Sequence, residues 1–197
     1  MKKLFSLLIS ITISLTNINN AFSISPDVFI QSTVNRASLI LSKDISKDDK
    51  MYQLKLIAKE TVDIRGIGFY SLGSVRKDLN ENQKKTYSDL FEKYFLKSFS
   101  SRLAEYTNPE IEVKKKEVLS ENYTIVNSVL VSTAERPEVN INWRVYTKNP
   151  DNPLIRDLII EGLSLARTQK EEFTSILNSN DGNINALFTT LEEFYNN

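Results

Sequence analysis

The sequence predicts an α+β domain in which helices come before and after an antiparallel sheet of about four strands. Up to about Tyr106, the apolar residues recur at the three- and four-residue spacing of amphipathic helices. Beyond Asn108-Pro109 the period changes to two over four consecutive segments, which favours a meander of antiparallel strands. Helical spacing returns after Gly162. Helices, then a sheet, then helices indicate one domain with the helices packed on one face of the sheet.

Residues 1–23 have the order of a cleaved export signal. Two lysines precede an apolar run diluted by Ser and Thr, and Ala21 and Ser23 occupy the small-residue positions before a cleavage point. The alternative is a retained membrane anchor, which needs about 20 apolar residues, and this run is shorter and interrupted by polar residues. We therefore expect a signal peptide over residues 1–23, a single domain over residues 24–197, and a location in the periplasm.

The first two helices have recognisable starts. Pro26 can occupy the first turn of a helix that ends near Ser42. Ser46, with Asp49 three residues later, resembles an N-cap with its acidic partner and predicts a second helix to about Glu60.

Three glycines follow the second helix. Gly66, Gly68 and Gly73 invite comparison with a nucleotide-binding loop, but Ser71 stands where the third glycine of G-x-G-x-x-G belongs, and no strand precedes them. We therefore expect these glycines to serve turns or close packing between helices.

The longest predicted helix, about Glu81–Tyr106, begins at a capping box formed by Asn80 and Gln83. One stripe of this helix is rich in aromatic residues and consists of Tyr87, Leu90, Phe91, Tyr94, Phe95, Phe99, Leu103 and Tyr106. Such a stripe either fills a core or walls a cavity, and the sequence alone leaves both possibilities open.

The four predicted strands contain "IEVKKKEVL", "NYTIVNSVLVST", "VNINWRVYTK" and "PLIRDLIIEG". Side chains alternate between the two faces of a strand, so the more apolar alternate set is expected to face inward. In the two middle strands these inner sets are Tyr123, Ile125, Val129 and Val131, and Val139, Ile141, Trp143 and Val145. Asn127 interrupts the first of these sets, either near a pocket mouth or bonded to a neighbour.

The composition excludes several classes of chemistry. The chain has 25 basic and 25 acidic residues, so it lacks the basic surface from which nucleic-acid binding draws its affinity. It has no His and no Cys, which removes the usual ligands of zinc and haem and the partners needed to activate a Ser or Cys nucleophile. We expect no cofactor.

Two carboxylates, Asp157 and Glu161, lie in one of the most apolar segments of the chain. In an alternating strand they share one face, while Leu158 and Ile160 share the other and can line an interior. Glu161 could accept hydrogen bonds from backbone N–H groups where the strand becomes a helix, and Ser164 could cap that helix. The alternative is a general base, Asp157 or Glu161, in an enzyme pocket.

Three segments occur in a recognisable order, namely "FIQSTVNRASLIL", "VDIRGIGFYSLGSVRKDLNENQ" and, after the long aromatic helix, "RDLIIEGLSLARTQKEEF". The most specific piece is the run from Asp157 to Ser164, in which Asp is followed by apolar residues, Glu-Gly, an apolar residue and Ser. In these features the chain resembles the MlaC family, the periplasmic phospholipid-binding components of toluene-tolerance-type ABC systems that maintain outer-membrane lipid asymmetry. The resemblance spans about Pro26 to Phe194.

The resemblance implies an NTF2-like architecture, in which a curved antiparallel sheet and helices enclose a deep apolar cavity for the acyl chains of a phospholipid. It also implies a carrier without enzymatic activity. Its docking partners would be an outer-membrane lipoprotein in complex with a porin and the MCE-domain protein of an inner-membrane ABC transporter. The residues expected to line the cavity are Phe69, Leu72, Phe91, Tyr94, Phe95, Phe99, Leu103, Ile125, Val129, Val131, Ile141, Trp143, Val145, Leu158, Ile160 and Leu163.

Two other functions remain open at this point. One is an NTF2-like enzyme of the isomerase type that uses Asp157 or Glu161 as a base. The other is a periplasmic binding or adaptor module that does not transport lipid, such as a chaperone, which would expose its apolar surface where a carrier encloses it.

Overall fold

A computed structural model describes residues 24–196, so the predicted signal peptide lies outside the described residues. The described chain is an α+β fold of six α-helices and one five-stranded antiparallel sheet. The helices are α1 (Pro26–Leu41), α2 (Lys47–Thr61), α3 (Ile64–Ser71), α4 (Glu81–Leu103), α5 (Leu165–Asn178) and α6 (Ile184–Asn196). The strands are β1 (Ile111–Ser120), β2 (Tyr123–Leu130), β3 (Val139–Tyr146), β4 (Leu154–Ile160) and β5 (Leu163–Ser164).

The predicted helix starts are confirmed by their hydrogen bonds. The Ser46 hydroxyl accepts from the backbone N–H of Asp49 at 3.1 Å. At the start of α4, the Asn80 side chain accepts from the Gln83 N–H at 2.9 Å, and the Gln83 side chain accepts from the Asn80 N–H at 3.0 Å. These three bonds satisfy N–H groups that have no backbone partner within their helices. The helix α4 ends at Leu103, one turn before the predicted end.

The glycine-containing segment forms the short helix α3, which packs against α4. Asp63 caps this helix by accepting from the Gly66 N–H at 2.8 Å. A Cβ atom at Gly68 would lie 2.7 Å from the ring of Phe91, so only glycine permits this approach. The expectation of close helix packing is therefore confirmed at Gly68.

The sheet has five strands in the order β1-β2-β3-β4-β5, and the expectation of four was wrong by one short strand. Glu161 and Gly162 form a two-residue turn with φ of 49° and 83°, after which Leu163 pairs with Ile160. Two consecutive positive φ angles are the mark of the tight turn that joins paired antiparallel strands. The strand therefore reverses into β5 before the helix begins, where the sequence had suggested a direct passage into the helix.

Strand register defines which residues share a face, because directly opposite residues of neighbouring strands point to the same side. Val126 pairs with Trp143, and Trp143 pairs with Leu158. We call the face that carries these three residues the inner face, since its buried members belong to the main apolar cluster of the molecule. Its buried and partly buried members are Ile111, Val113, Thr124, Val126, Ser128, Leu130, Val139, Ile141, Trp143, Val145, Ile155, Leu158 and Ile160.

The predicted face assignment of β2 was wrong. Ile125 pairs with Arg144 and Val129 pairs with Asn140, which places both on the opposite, outer face together with Tyr123. Val131 lies just beyond the end of β2 and is partly buried. The outer face also carries Asn127, whose side-chain amide donates to Asn142 at 2.7 Å.

Hydrogen bonding explains why the less apolar alternate set of β2 faces inward. The buried Ser128 hydroxyl donates to the backbone carbonyl of Ile141 at 3.0 Å and accepts from the indole N–H of Trp143 at 2.8 Å. A buried polar group costs little when its bonds are made, so a count of apolar residues misjudges such a position.

Helices lie near both edges of the sheet. The helix α1 lies beside β1 and β2, while α3 and α5 lie beside β4. The side chain of Gln31 in α1 bonds the backbone of Ile111 and Val113, which covers the start of the otherwise free edge of β1. The helix α4 packs on α2, α3 and α6, and its apolar side chains and those of the inner face belong to one cluster. The helix layer and the inner face therefore share one apolar interior.

Candidate functional site

The interior between the helix layer and the inner face is lined by aromatic rings. The ring centroid of Phe91 lies 5.7 Å from that of Tyr87 and 6.1 Å from that of Phe173. The Tyr87 hydroxyl donates to the carbonyl of Gly68 at 2.8 Å, and burial raises the pKa of this phenol, so it stays neutral. These rings form the deep, fully packed part of the interior.

The second half of α4 contributes rings that are only partly buried. Phe95 and Phe99 stack with centroids 5.6 Å apart and pack against the main cluster. Tyr94 donates to Gln169 at 2.9 Å, and burial raises the pKa of its hydroxyl. Its ring lies 4.8 Å from that of Phe194 in α6. The second half of α4 therefore contacts α6 and the main cluster largely through aromatic rings.

The residues of the inner face are unequally buried, and partly buried ones lie beside buried ones such as Leu130. Val145 and Ile155 are 0% and 6% exposed, whereas Val139, Leu158 and Ile160 are only partly buried. We call the first pair the closed end and the part around Val139 and Ile160 the open end. The open end is bordered by the β2–β3 loop, residues 131–138, and by the β4–β5 turn.

Most of the residues predicted to line a cavity belong to this interior. Those in the main cluster or packed against it are Phe69, Leu72, Phe91, Tyr94, Phe95, Phe99, Ile141, Trp143, Val145 and Leu158. Leu103 instead packs against a second, smaller cluster formed by Ile40, Leu41, Leu54 and Ile57. Ile125 and Val129 lie on the outer face, Ile160 is at the open end, and Leu163 is 59% exposed.

Sequence reasoning missed several interior residues. They include Val126 and Leu130 of β2, Ile155 of β4 and Phe173 of α5. Val126 is 0% exposed and lies opposite Trp143. Only the strand register reveals this position, so the sequence of β2 by itself gave no signal for it.

Asp157 has a structural role on the outer side of β4. It is 4% exposed, and one carboxylate oxygen accepts from the Ala166 N–H at 3.0 Å while the other accepts from the Ser164 hydroxyl at 2.7 Å. Ser164 in turn accepts from the Arg167 N–H at 3.1 Å, which confirms the predicted cap of this helix. Both oxygens of Asp157 are therefore engaged in fixing the start of α5 against β4.

Glu161 lies in the exposed β4–β5 turn and accepts a hydrogen bond from the backbone N–H of Asn140. The bond to a backbone N–H agrees with the expectation, although the donor belongs to β3 and not to the helix start. Neither carboxylate faces the apolar interior. Asp157 pairs with Arg144 of the outer face, and Glu161 is exposed.

A polar cluster ties the closed end of the sheet to α3. Arg156 donates to Asp63 and to the Tyr123 hydroxyl, each at 2.6 Å, and its guanidinium lies 3.5 Å from the ring centroid of Tyr146. The Asp63 backbone N–H also donates to the carbonyl of Ile155 at 2.9 Å. These contacts hold β4 to the start of α3.

Two grooves lie at the surface of the molecule. One, of about 660 Å³, is lined by Tyr70 and by exposed residues of α5, including Arg167 and Lys170. The other, of about 460 Å³, runs between α1 and the start of β1. Neither is lined by any residue predicted to contact a ligand. Within residues 24–196, every helix is too short or too polar to span a bilayer.

Fold and interior together define a small α+β domain with an apolar core, in which Asp157 and Glu161 form hydrogen bonds with the protein itself. The chain belongs to the MlaC family, because the family model described as MlaC protein matches residues 31–193. The fold is also that of a phospholipid-binding protein from Ralstonia solanacearum, solved in complex with a phospholipid. The two chains share 17% sequence identity with a TM-score of 0.73, over 87% of this chain and 97% of the other. No match to this chain was found among curated proteins.

Proposed function

We propose that this protein is a phospholipid carrier that holds acyl chains between the inner face and the helix layer. The observation that supports it most is the continuous apolar interior, in which Val139 and Leu158 of the inner face are only partly buried. Membership of the MlaC family supports the same function, as does the fold shared with a protein solved in complex with a phospholipid.

The physical need for a carrier follows from the acyl chains. A diacyl phospholipid has roughly 30 chain methylenes, and at about 0.8 kcal/mol each its exposure to water costs on the order of 25 kcal/mol. A protein interior that equals the bilayer in apolarity removes this cost. Binding need not exceed that of a membrane, because the carrier has to unload as well as load.

Loading requires the interior to open, and the partly buried residues are where it opens most easily. Phe95 and Phe99 of α4 and Leu158 of β4 have fewer contacts to lose than Phe91 or Val145, which are fully buried. The close backbone contacts of α4 and α6 are made with other helices. In this proposal α4 and α6 move away from the open end of the sheet, and the acyl chains take the place of inward-turned rings.

The cellular setting is part of the proposal. The protein is exported by the signal in residues 1–23 and works in the periplasm. There it moves lipid between an outer-membrane lipoprotein–porin complex and the MCE-domain protein of an inner-membrane ABC transporter, which maintains outer-membrane asymmetry. The lipid is cargo, and no cofactor or catalytic residue is required.

Two neighbouring residues of β4 allow a matched test of the binding site. Leu158 lies on the inner face and Ile159 on the outer face, and both are partly buried. A carboxylate among acyl chains must lose its hydration, at a cost of several kcal/mol. We expect Leu158→Asp to lose co-purifying lipid and Ile159→Asp to retain it, measured by organic extraction and mass spectrometry of proteins with parent-like circular dichroism. Retention by Leu158→Asp together with loss by Ile159→Asp would contradict the proposal.

A second measurement separates a carrier from a binding module without transport. Purified protein is mixed with donor vesicles that contain a labelled phospholipid and with acceptor vesicles that lack it. A carrier accelerates transfer in proportion to its concentration, whereas a module that only retains lipid leaves the rate unchanged.

A further inference from the structure

Arg136, in the β2–β3 loop at the open end, has an unusual environment for a charged side chain. Its Nε atom is buried and has no hydrogen-bond partner within residues 24–196. Buried donors without a partner are rare in proteins, and each one calls for an explanation. None of the ion pairs among the described residues involves Arg136. Among the described residues, no carboxylate oxygen therefore lies within 4 Å of its guanidinium nitrogens.

The loop holds this guanidinium in place at the border of the apolar interior. One terminal nitrogen donates to the carbonyl of Val131 at 3.3 Å, and the guanidinium carbon lies 5.6 Å from the ring centroid of Tyr106, just beyond α4. The backbone of Arg136 pairs with that of Thr133, which fixes the loop. The loop connects Leu130 of the main cluster to Val139, which packs against that cluster. The charged group is thus held beside the open end, and Val131 is its only hydrogen-bond partner within residues 24–196.

We propose that Arg136 binds the phosphate of the lipid headgroup and makes the carrier prefer phosphate-bearing lipids to neutral ones. This inference rests on the proposed function, since it needs acyl chains inside and a headgroup at the open end. A guanidinium suits this task, because its planar set of donors matches two phosphate oxygens and its charge persists at any physiological pH. Bound phosphate would supply the acceptor and the negative charge that Arg136 lacks among its neighbours.

The test compares two lipids that differ only in the headgroup. Lipid-free protein is incubated with vesicles that contain phosphatidylglycerol and diacylglycerol with identical chains, and the lipids it takes up are measured by mass spectrometry. The parent is expected to favour phosphatidylglycerol. Arg136→Gln is expected to lower that preference about tenfold, the loss of roughly one charge-assisted hydrogen bond, and to leave diacylglycerol uptake unchanged.

Arg65→Gln is the matched control. The guanidinium of Arg65 also lies 5.6 Å from an aromatic ring centroid, that of Phe69, but it belongs to α3, away from the open end. This variant should leave both uptakes as in the parent. If Arg136→Gln does not fold, Arg136→Lys is used instead. It keeps the charge but lacks the planar donors, and it is expected to lower the preference about threefold.

The outcomes separate the two proposals. A parent that takes up both lipids equally, or a folded Arg136 variant with an unchanged preference, overturns the headgroup inference and leaves the carrier standing. A parent that takes up neither lipid overturns both. Titration of lipid-free parent with inorganic phosphate, followed by ³¹P NMR, should show no binding that depends on Arg136. Such binding would make this a site for free phosphate and overturn the inference.

Discussion

The two faces of the sheet bury apolar residues in different ways. On the inner face, Val126 is 0% exposed among the side chains of the main cluster. On the outer face, Ile125 is 8% exposed but lies outside that cluster, in a row with Arg144 and Asp157. Long charged side chains can cover apolar surface with their stems while their ends remain in water. Low exposure alone therefore does not identify a residue that faces the ligand. The residues opposite it on the neighbouring strands do identify it.

The largest expected effect is a difference in stability between matched substitutions on the two faces. Val126→Asp places a carboxylate in the main cluster with no partner, which costs several kcal/mol, on the order of the whole stability of a small domain. Ile125→Asp is one residue away, and its carboxylate can reach water beside Arg144, so its cost should be about 1 to 3 kcal/mol. Urea denaturation of both variants measures the difference. Equal losses would mean that the two faces are not distinct.

An intermediate effect concerns the two carboxylates of the outer side. Asp157→Asn removes the charge that accepts from Ala166 and Ser164, and should lower the free energy of unfolding by about 1 to 3 kcal/mol. Glu161→Gln, at an exposed turn, should cost less than about 1 kcal/mol. Thermal denaturation measures both. Lipid content should remain that of the parent, and a folded variant that loses its lipid would show that these carboxylates contact the ligand.

The smallest effect concerns a surface ion pair that joins α1 to the sheet edge. Lys116 donates to Asp27 at 2.7 Å, and this bond together with that from Ser25 lowers the pKa of Asp27 to about 2. Because the unfolded value is about 3.9, the stabilisation is present above about pH 4 and is lost as the pH falls through about 2. Asp27→Asn should cost less than about 1 kcal/mol at neutral pH, because the pair is exposed to solvent.

The pH dependence provides the check. The difference in unfolding free energy between Asp27→Asn and the parent should shrink from pH 5 to pH 2. A difference that stays constant over this range would mean that the carboxylate charge does not contribute to it.

Local signals predicted the helices and strands well because their causes are local. The caps at Ser46 and Asn80 depend on residues three positions away, and alternation over seven or more residues revealed four strands. The short strand β5 was missed because a two-residue turn at Glu161-Gly162 leaves no room for a period to appear.

The candidate site was predicted less completely because it depends on contacts between residues that are far apart in the sequence. Trp143 and Val145 were assigned correctly to the inner face from their own strand. The face of β2 depended on Ser128, whose hydroxyl is satisfied by Trp143, fifteen residues further along the chain. No pattern within one strand reveals such a bond. Which of these residues contact acyl chains remains a prediction.

Trp143 offers the most direct test of the central claim that acyl chains lie against the inner face. It is the only tryptophan of the chain, is 9% exposed, and lies on that face between Val126 and Leu158. The protein is loaded with a phospholipid that carries a spin label on one acyl chain, and its tryptophan fluorescence is compared with that of protein loaded with the unlabelled lipid. We expect the spin label to quench Trp143 strongly. Full lipid occupancy with unquenched fluorescence at every label position would place the lipid elsewhere and contradict this account.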